Sequence, residues 1–201
     1  MVNTGYVTHG VVHVEQLLDH LMASLAEDMY ISVSNGGYKG EWGSTEECPE
    51  GSKAMGFKLQ VDRDLVTADT TGVNSIYLLC ADPSSENVVG TISSSKGDFG
   101  NMGQELKCNL GSYLVAFCLN VGKRLLDNIG VANVKFKCSD GTILTGDGYD
   151  WATWGAFSEE CPNGIIGMRT RQEKYRGPFK DDSQLNDASM LCSRVFQYVK
   201  G

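Results

Sequence analysis

The fold is decided by the stretch NGGYKGEWGSTEECPEG, residues 35–51, because its ending returns twice more in the chain. The same Cys-x-x-Gly ending follows a Met-Gly or Trp-Gly step in MGQELKCNLG, residues 102–111, and in WGAFSEECPNG, residues 154–164. A unit that recurs at a nearly constant interval indicates an internal repeat. The sequence therefore predicts three copies of roughly 50 residues each.

Each copy is followed by a second marker that ends in another cysteine. An Asp begins a polar loop, an apolar-alternating segment follows, and a Cys closes it 11 residues after the Asp. The three markers are DTTGVNSIYLLC (69–80), DNIGVANVKFKC (127–138) and DDSQLNDASMLC (181–192). The cysteines of the repeats are thus 32, 30 and 31 residues apart, as the pairs Cys48 with Cys80, Cys108 with Cys138, and Cys161 with Cys192.

The even phasing of these pairs predicts three disulfides and no metal site. The chain has no Cys-x-x-Cys unit, and its histidines, His9, His13 and His20, all precede the first repeat, so zinc ligands are missing. A disulfide that closes a loop of about 31 residues stabilises a domain by roughly 3 to 4 kcal/mol in the chain-entropy model. Such bonds persist in oxidising compartments, so we expect a secreted, extracellular protein.

Composition argues against several classes of partner. The chain has 201 residues, a net charge of −8 and a pI near 4.8. These values argue against nucleic acid and against an anionic membrane surface, because both select Lys and Arg. No apolar run approaches the roughly 18 residues of a membrane-spanning helix. The first residues lack the basic-then-apolar pattern of a signal peptide, so we expect that a leader has been removed.

An amphipathic helix is predicted in an N-terminal extension, residues 1–29, roughly over residues 12–29. Its apolar residues follow helical spacing: Val14, Leu17, Leu18, Leu21, Met22 and Leu25. The simplest interpretation is a helix that docks on its own domain, and the alternative is a homo-oligomer formed through this helix. A membrane-surface role is disfavoured because the polar face lacks basic residues.

From residue 30 the apolar period becomes two, which is typical of half-buried strands. One alternate set in each repeat is predicted to face a core: Phe57, Leu59, Val61, Ile76, Leu78, Phe117, Leu119, Val121, Val134, Phe136, Met168, Thr170, Ala188 and Met190. The closing cysteines share this face, so buried disulfides are expected. We predict one β domain over residues 30–201, with repeats at about 30–87, 88–140 and 141–201.

Cys118 is the one cysteine outside the repeat pattern. Counting from the first cysteine of each repeat places it at the position of Lys58, on the outward face. Its outward neighbours Ala116 and Asn120 are also uncharged, so we expect the N-terminal helix to cover this face. An intermolecular disulfide is the alternative for an odd cysteine in a secreted chain.

The threefold unit resembles the vitelline membrane outer layer protein I family. The resemblance rests on NGGYKGEWG, MGFKLQV, DTTGVNSIYLLC, KCSDGTILTGDGYDW, WGAFSEECPNGIIGM and DDSQLNDASMLC, which follow one another between residue 30 and about residue 192. It implies an all-β fold, a β-prism of three Greek-key four-stranded sheets with pseudo-threefold symmetry. It also implies a secreted structural protein of an extracellular coat, egg envelope or mucous layer that associates with glycans or glycoproteins. The chain departs from the family at Phe99 and Met102, where Trp is usual, and in its N-terminal helix.

Aromatic and acidic side chains are the candidates for glycan binding, because an aromatic ring matches the apolar face of a pyranose and carboxylates bind hydroxyls. Tyr149, Asp150 and Trp151 are the predicted ligand-binding residues. Trp151 has no counterpart in the other repeats, and GDGYDW contains a Gly-x-x-x-Asp spacing similar to sugar-binding loops of lectins with the same prism architecture. The symmetric Trp42 and Trp154 are expected instead to fill space near the prism axis.

Three acidic residues recur at one phase, namely Asp69, Asp127 and Asp181. We expect them to accept backbone N–H bonds in Asx-type turns. A hard cation held by Asp147 and Asp150, or by the Asp181-Asp182 pair, is a weaker alternative because no calcium-binding repeat is present.

No enzymatic motif is visible, and no cofactor is expected. The repeats contain no His, no Gly-x-Ser-x-Gly and no phosphate loop. A glycosidase or glycan transferase acting on chito-oligosaccharides would need only two carboxylates roughly 5 to 10 Å apart, and 25 acidic residues leave this alternative open. The leading interpretation is a non-enzymatic structural protein whose partners are extracellular glycoproteins or oligosaccharides. A lectin with a defined sugar site near residues 149–151 is the second.

Overall fold

A computed structural model of the chain describes residues 28–63, 72–82, 84–85, 87–122, 130–174, 177 and 183–193. All regular elements in these residues are β-strands, and Met29–Ser193 form one compact unit. The strands are β1 (Tyr30–Ser32), β2 (Glu41–Trp42), β3 (Glu46–Glu47), β4 (Lys53–Val61), β5 (Val73–Ala81), β6 (Val88–Ile92), β7 (Asn101–Met102), β8 (Leu106–Lys107), β9 (Leu114–Val121), β10 (Val131–Cys138), β11 (Ile143–Thr145), β12 (Thr153–Trp154), β13 (Ile165–Gln172) and β14 (Leu185–Cys192).

Two predictions concern residues that the structure does not describe. The N-terminal helix lies outside the described residues, apart from its last two positions, which are not helical. Asp69, Asp127 and Asp181 also lie outside them. None of the described segments forms a helix of the length and apolar character needed to span a bilayer.

The strands form three antiparallel sheets, which we call sheets A, B and C. Sheet A has the order β1-β14-β13-β2, with β3 also on β13. Sheet B has the order β6-β5-β4-β7, with β8 also on β4, and sheet C has the order β11-β10-β9-β12. Because β2 and β3 share one neighbour, as do β7 and β8, each pair is one interrupted edge strand. Each sheet therefore has four strand positions in Greek-key order, which confirms the predicted all-β prism.

The core lies between the inner faces of the three sheets. Phe57, Phe117 and Phe136 are fully buried there, and the ring centroid of Phe136 lies 4.7 Å from that of Phe57 and 6.1 Å from that of Phe117. Burial of one such side chain contributes roughly 1.5 to 3 kcal/mol. The other predicted core residues are also buried, except Val121, which is half-buried.

Sheet A closes the prism by joining the two ends of the described chain. Its strands β1 to β3 come from residues 30–47, and β13 and β14 come from residues 165–192. Sheets B and C use the continuous stretches 53–107 and 114–154. Sequence repeats and sheets are therefore offset: the Trp-Gly or Met-Gly step of each repeat forms the edge of the sheet that contains the previous repeat's long hairpin.

The three predicted disulfides are present, and each joins one sheet to the next. Their Cα–Cα distances are 5.6 Å for Cys48–Cys80, 5.8 Å for Cys108–Cys138 and 5.1 Å for Cys161–Cys192. The first cysteine of each pair donates its N–H to the sheet before it, at Ile166, Met55 and Val115 respectively. The second lies in the central hairpin of the following sheet. The bonds therefore link A to B, B to C and C to A, and all six cysteines except the half-buried Cys48 are buried.

Three equivalent glycines hold the loops that lie between neighbouring sheets. Each follows an edge strand and donates its N–H to the adjacent central strand: Gly43 to Thr170, Gly103 to Leu59 and Gly155 to Leu119, at 2.9, 2.8 and 2.9 Å. A Cβ at any of them would collide with a polar side chain of a loop from another repeat, namely Ser95, Asp147 and Asn35 in the same order. This close approach requires glycine and fixes where those loops lie.

Candidate functional site

The predicted binding loop, residues 146–151, connects β11 to β12 on sheet C. The Tyr149 N–H donates to the carbonyl oxygen of Ala132 in β10 at 2.8 Å. The Tyr149 ring is half-buried against the core, and its hydroxyl donates to the carbonyl oxygen of Asp62 at 3.0 Å. Tyr149 therefore ties the loop to the end of β4 on sheet B.

The structure brings the three predicted residues together and gives them different environments. Trp151 is 47% exposed, and its ring centroid lies 6.0 Å from that of Tyr149. Asp150 is exposed and accepts one hydrogen bond, from Asn133 Nδ2 at 3.3 Å. Trp151 and Asp150 thus form the solvent-facing part of the loop, and Tyr149 supports them from below.

Asp147, the other acid of this loop, is committed to protein partners. Its Oδ2 accepts from Arg63 Nη2 at 2.8 Å and from the Gln104 N–H at 3.3 Å. Among the described residues, no group of three or more His, Cys, Asp or Glu side chains is placed to hold a metal ion. The geometry of Asp147 therefore favours a structural role over a cation site.

The expectation that Trp42 and Trp154 fill space near the prism axis is wrong. Trp42 pairs with Arg171, and Trp154 pairs with Asn120, on the outer faces of sheets A and C. Both indoles are half-buried and lie outside the core cluster. These residues repeat because each lies on the short edge strand of its sheet, where its side chain points outward. The repetition therefore does not indicate a position near the prism axis.

A groove of about 640 Å³ lies beside Trp42, between β2 and β13 of sheet A and the loop that precedes β7. Its lining is polar and carries charges of both signs, together with one indole. The lining residues are Glu41, Trp42, Gly43, Ser95, Lys96, Asp98, Gln172, Glu173, Lys174 and Gln184. The sequence did not single out this groove.

Two glutamine side chains of this groove each have a polar atom without a hydrogen-bond partner. Gln172 is 8% exposed and donates from Nε2 to the Asn74 carbonyl oxygen at 2.9 Å, while its Oε1 has no partner. Gln184 is 1% exposed, and its Nε2 has no partner. Gln184 also has a φ of 50°, the one positive value at a non-glycine residue in the described part of the chain. Buried amide atoms without a partner are not confined to the groove, since the amide oxygens of Asn35 and Asn120 also lack one, whereas the positive φ of Gln184 is a strained conformation of the kind that clusters at functional sites.

Cys118 is free and buried, at 2% exposure on the outer face of sheet C. Its cross-strand partner is Lys135, whose Nζ lies 3.9 Å from the ring centroid of Trp154 on the opposite side of β9. The Lys135 side chain must pass over β9 to reach that ring, so it covers the thiol. Burial raises the pKa of the Cys118 thiol, which makes it a poor nucleophile.

Comparison with known proteins identifies relatives over most of the chain. The family model for vitelline membrane outer layer protein I (VOMI) matches residues 29–195. A vitelline membrane outer layer protein 1 homolog from Mus musculus is 36% identical over 191 residues, which cover 94% of this chain and 92% of that protein. The corresponding Homo sapiens homolog is 41% identical over 170 residues and 82% of each chain.

A solved structure with a similar fold is the Calsepa lectin in complex with a biantennary N-glycan. Its TM-score is 0.54 at 11% identity, and the match covers 85% of this chain and 99% of the lectin chain. This similarity shows the fold alone.

Proposed function

Because the chain belongs to the vitelline membrane outer layer protein I family, we propose that it is a structural component of an extracellular coat, egg envelope or mucous layer that binds glycans. Its relatives are named as homologs of a vitelline membrane outer layer protein. Three disulfides that join the sheets in a closed ring suit a rigid protein in an oxidising environment. Glycan binding is further supported by the groove and the exposed loop described above.

The observation that carries glycan binding is the polar lining of the groove, in which two amide side chains lie beside carboxylates and one indole. Sugar hydroxyls both donate and accept hydrogen bonds, so the amides of Gln172 and Gln184 suit them as partners in the groove wall. Glu41 and Asp98 line the same groove and supply further acceptors.

The loop of residues 146–151 supplies a second contact surface for glycans. Its exposed indole offers an apolar face for a pyranose ring, and the adjacent Asp150 carboxylate accepts hydroxyl hydrogens. Trp42 is less suited to stacking, because the guanidinium groups of Arg169 and Arg171 already lie over its ring, each 5.0 Å from the centroid.

A glycan array with the wild-type protein and two variants tests this proposal. Gln184→Gly removes the groove amide while keeping a residue that tolerates positive φ, and Trp151→Ala removes the exposed indole. Phe157→Ala, which truncates another exposed aromatic residue, is the matched control. We expect glycan-specific signals that weaken in the first two variants and persist in the control. No sugar-dependent signal from the wild type would remove glycan binding from the proposal.

The glycan transferase or glycosidase alternative has its own test. Wild-type protein is incubated with chito-oligosaccharides, and the products are separated by size. A purely structural and binding role predicts unchanged substrate at high protein concentration. Longer or shorter products would show an enzymatic role instead.

A further inference from the structure

The outer face of sheet A carries a row of aromatic and arginine side chains. The Arg169 guanidinium lies 4.7 Å from the ring centroid of Tyr30 and 5.0 Å from that of Trp42. The Arg171 guanidinium also lies 5.0 Å from the Trp42 ring centroid. Tyr30 stands on β1 and Trp42 on β2, so the row crosses the whole sheet. We call Tyr30, Trp42, Arg169 and Arg171 the arginine row.

The threefold symmetry of the prism shows what the arginine row lacks. Arg169 occupies the place of Lys58 on sheet B, since Met168 pairs with Glu46 as Phe57 pairs with Leu106. Lys58 has a carboxylate partner, Glu105, at 3.1 Å. The residue equivalent to Glu105 on sheet A is Thr45, whose hydroxyl is hydrogen-bonded to that of Tyr30 at 2.9 Å. The counterpart of the acid that neutralises sheet B is therefore uncharged on sheet A.

Neither arginine forms a close ion pair in its place. Within the described residues, no carboxylate lies within 4.0 Å of either guanidinium, and the buried Nε atoms of Arg169 and Arg171 have no hydrogen-bond acceptor. Asp187 lies opposite Arg171 on the neighbouring strand and interacts with its charge from beyond 4.0 Å, while its Oδ1 accepts the Ala188 N–H at 2.8 Å. Glu173, the first residue after β13, accepts from the Ser183 hydroxyl at 2.8 Å and lies 3.9 Å from Lys39 Nζ.

Two guanidinium groups on adjacent same-face positions of one strand lie roughly 7 Å apart at the backbone, so their like charges repel. Stacking on Tyr30 and Trp42 holds the groups in place despite this repulsion. A planar guanidinium held in this way matches the oxygens of a carboxylate or sulfate group. The whole chain has a net charge of −8, which repels polyanions in general. Any polyanion that binds must therefore engage a local cationic surface.

We propose that the arginine row binds the sulfate or carboxylate groups of an acidic glycan. This inference rests on the proposed glycan binding and names a ligand class for it. The arginines of the row do not line the Trp42 groove, so the row is a separate contact surface. The shared chemistry is an oxyanion attached to a sugar, and the experiment below separates sulfate from carboxylate sources.

The test introduces on sheet A an acid at the position equivalent to Glu105 of sheet B. Thr45→Glu places a carboxylate beside Arg169 without removing any arginine, and Thr45→Gln is its uncharged control. Binding is measured to a heparin oligosaccharide, to an oligogalacturonate of matched length and to a neutral dextran oligosaccharide. We expect the wild type and Thr45→Gln to bind at least one acidic ligand in a salt-sensitive manner, and Thr45→Glu to bind it several-fold more weakly.

A second pair of variants removes charge directly. Arg169→Gln with Arg171→Gln should weaken acidic-glycan binding by about tenfold or more, whereas Lys58→Gln with Lys107→Gln, which removes two charges from sheet B, should change it little. Equal affinities for Thr45→Glu and Thr45→Gln, or equal losses in the two double variants, would overturn the arginine-row assignment. So would a wild type that binds neither acidic ligand. Absence of all binding to neutral glycans on the array tells instead against the groove and loop of the proposed function.

Discussion

Sheets A and B have the same strand order and register, yet their outer faces differ in charge balance. On sheet B, Lys58 and Lys107 both lie near Glu105, at 3.1 and 3.5 Å. On sheet A, Arg169 and Arg171 lie against aromatic rings and have no carboxylate within 4.0 Å among the described residues. The inner faces of the two sheets, in contrast, are both buried and mostly apolar.

The difference shows which positions the fold fixes and which it leaves to function. Inward positions must fill one shared core, so packing imposes threefold similarity on them. Outward positions face solvent, where substitutions usually change stability little. Departures from symmetry on the outer faces and in the loops are therefore where a binding function can reside.

The largest effect is expected from the shared inner face. Phe57→Ala on sheet B and Met168→Ala on sheet A remove equivalent, fully buried side chains. Each should lower the free energy of unfolding by about 2 to 5 kcal/mol through lost burial and a residual cavity. Denaturant unfolding measures both losses. A loss below about 1 kcal/mol on one sheet alone would show that the inner faces are not equivalent.

The disulfides should also behave alike on all sheets. Replacing Cys161 and Cys192 by Ser opens the link from sheet C to sheet A, and the same change at Cys108 and Cys138 opens the link from B to C. Each double variant should lose roughly 3 to 4 kcal/mol, because the closed loops have nearly the same length. Thermal unfolding of the oxidised proteins compares them, and non-reducing peptide mapping confirms the remaining bonds.

The outer faces should differ from each other in a smaller way. Arg169→Ala removes stacking on both Tyr30 and Trp42 and should cost about 1 to 2 kcal/mol. Lys58→Ala removes an exposed ion pair, which typically contributes about 0 to 1 kcal/mol. Urea unfolding followed by Trp fluorescence measures both changes. A larger loss for the lysine would reverse the comparison.

The smallest effect concerns Asp187, the acid that faces Arg171. Burial raises the pKa of its carboxyl, although the Ala188 N–H bond and Arg171 oppose this. The folded state then holds the proton more tightly than the unfolded state, so the contribution of Asp187 to stability falls as pH rises from below its unfolded pKa to above its folded pKa. Asp187→Asn keeps the acceptor oxygen and does not titrate. Its free energy of unfolding should therefore increase relative to that of the wild type by about 0.5 kcal/mol as the pH rises through this range. Unfolding at several pH values checks the sign, and a gain that appears only at low pH contradicts it.

The framework of the fold was predictable from the sequence because it repeats. The Asp-to-Cys spacing and the alternation around Phe57 and Phe117 predicted the strands, the core residues and the three cysteine pairs. The offset between repeats and sheets was not predictable, because strands such as β2 and β12 have two residues each and carry no local signal of their partner. Trp42 and Trp154 were assigned to the axis because they repeat at one phase, and no local signal showed that they face outward.

The candidate sites were predictable only in part. The break in symmetry at Trp151 identified one exposed loop, but Gln172 and Gln184 look like ordinary polar residues until the groove brings them together. Arg169 alternates with the core positions Met168 and Thr170 in the sequence. Lys58 is ten residues after Cys48, however, and the same count from Cys161 reaches Arg171, not Arg169. Arg169 itself is eight residues after Cys161. Only the strand pairing therefore shows that Arg169 and Lys58 are equivalent.

The most direct test of the account is a nuclear magnetic resonance titration of side-chain signals. The Nε–H groups of Arg169 and Arg171 and the side chain of Lys58 are followed while a heparin oligosaccharide is added, and then a neutral dextran oligosaccharide. The account predicts saturable shifts of both arginine signals with the acidic ligand alone, while Lys58 stays nearly unchanged. Equal shifts on sheets A and B, or no shift of either arginine, would contradict the claim that the unsymmetrical outer face carries this binding.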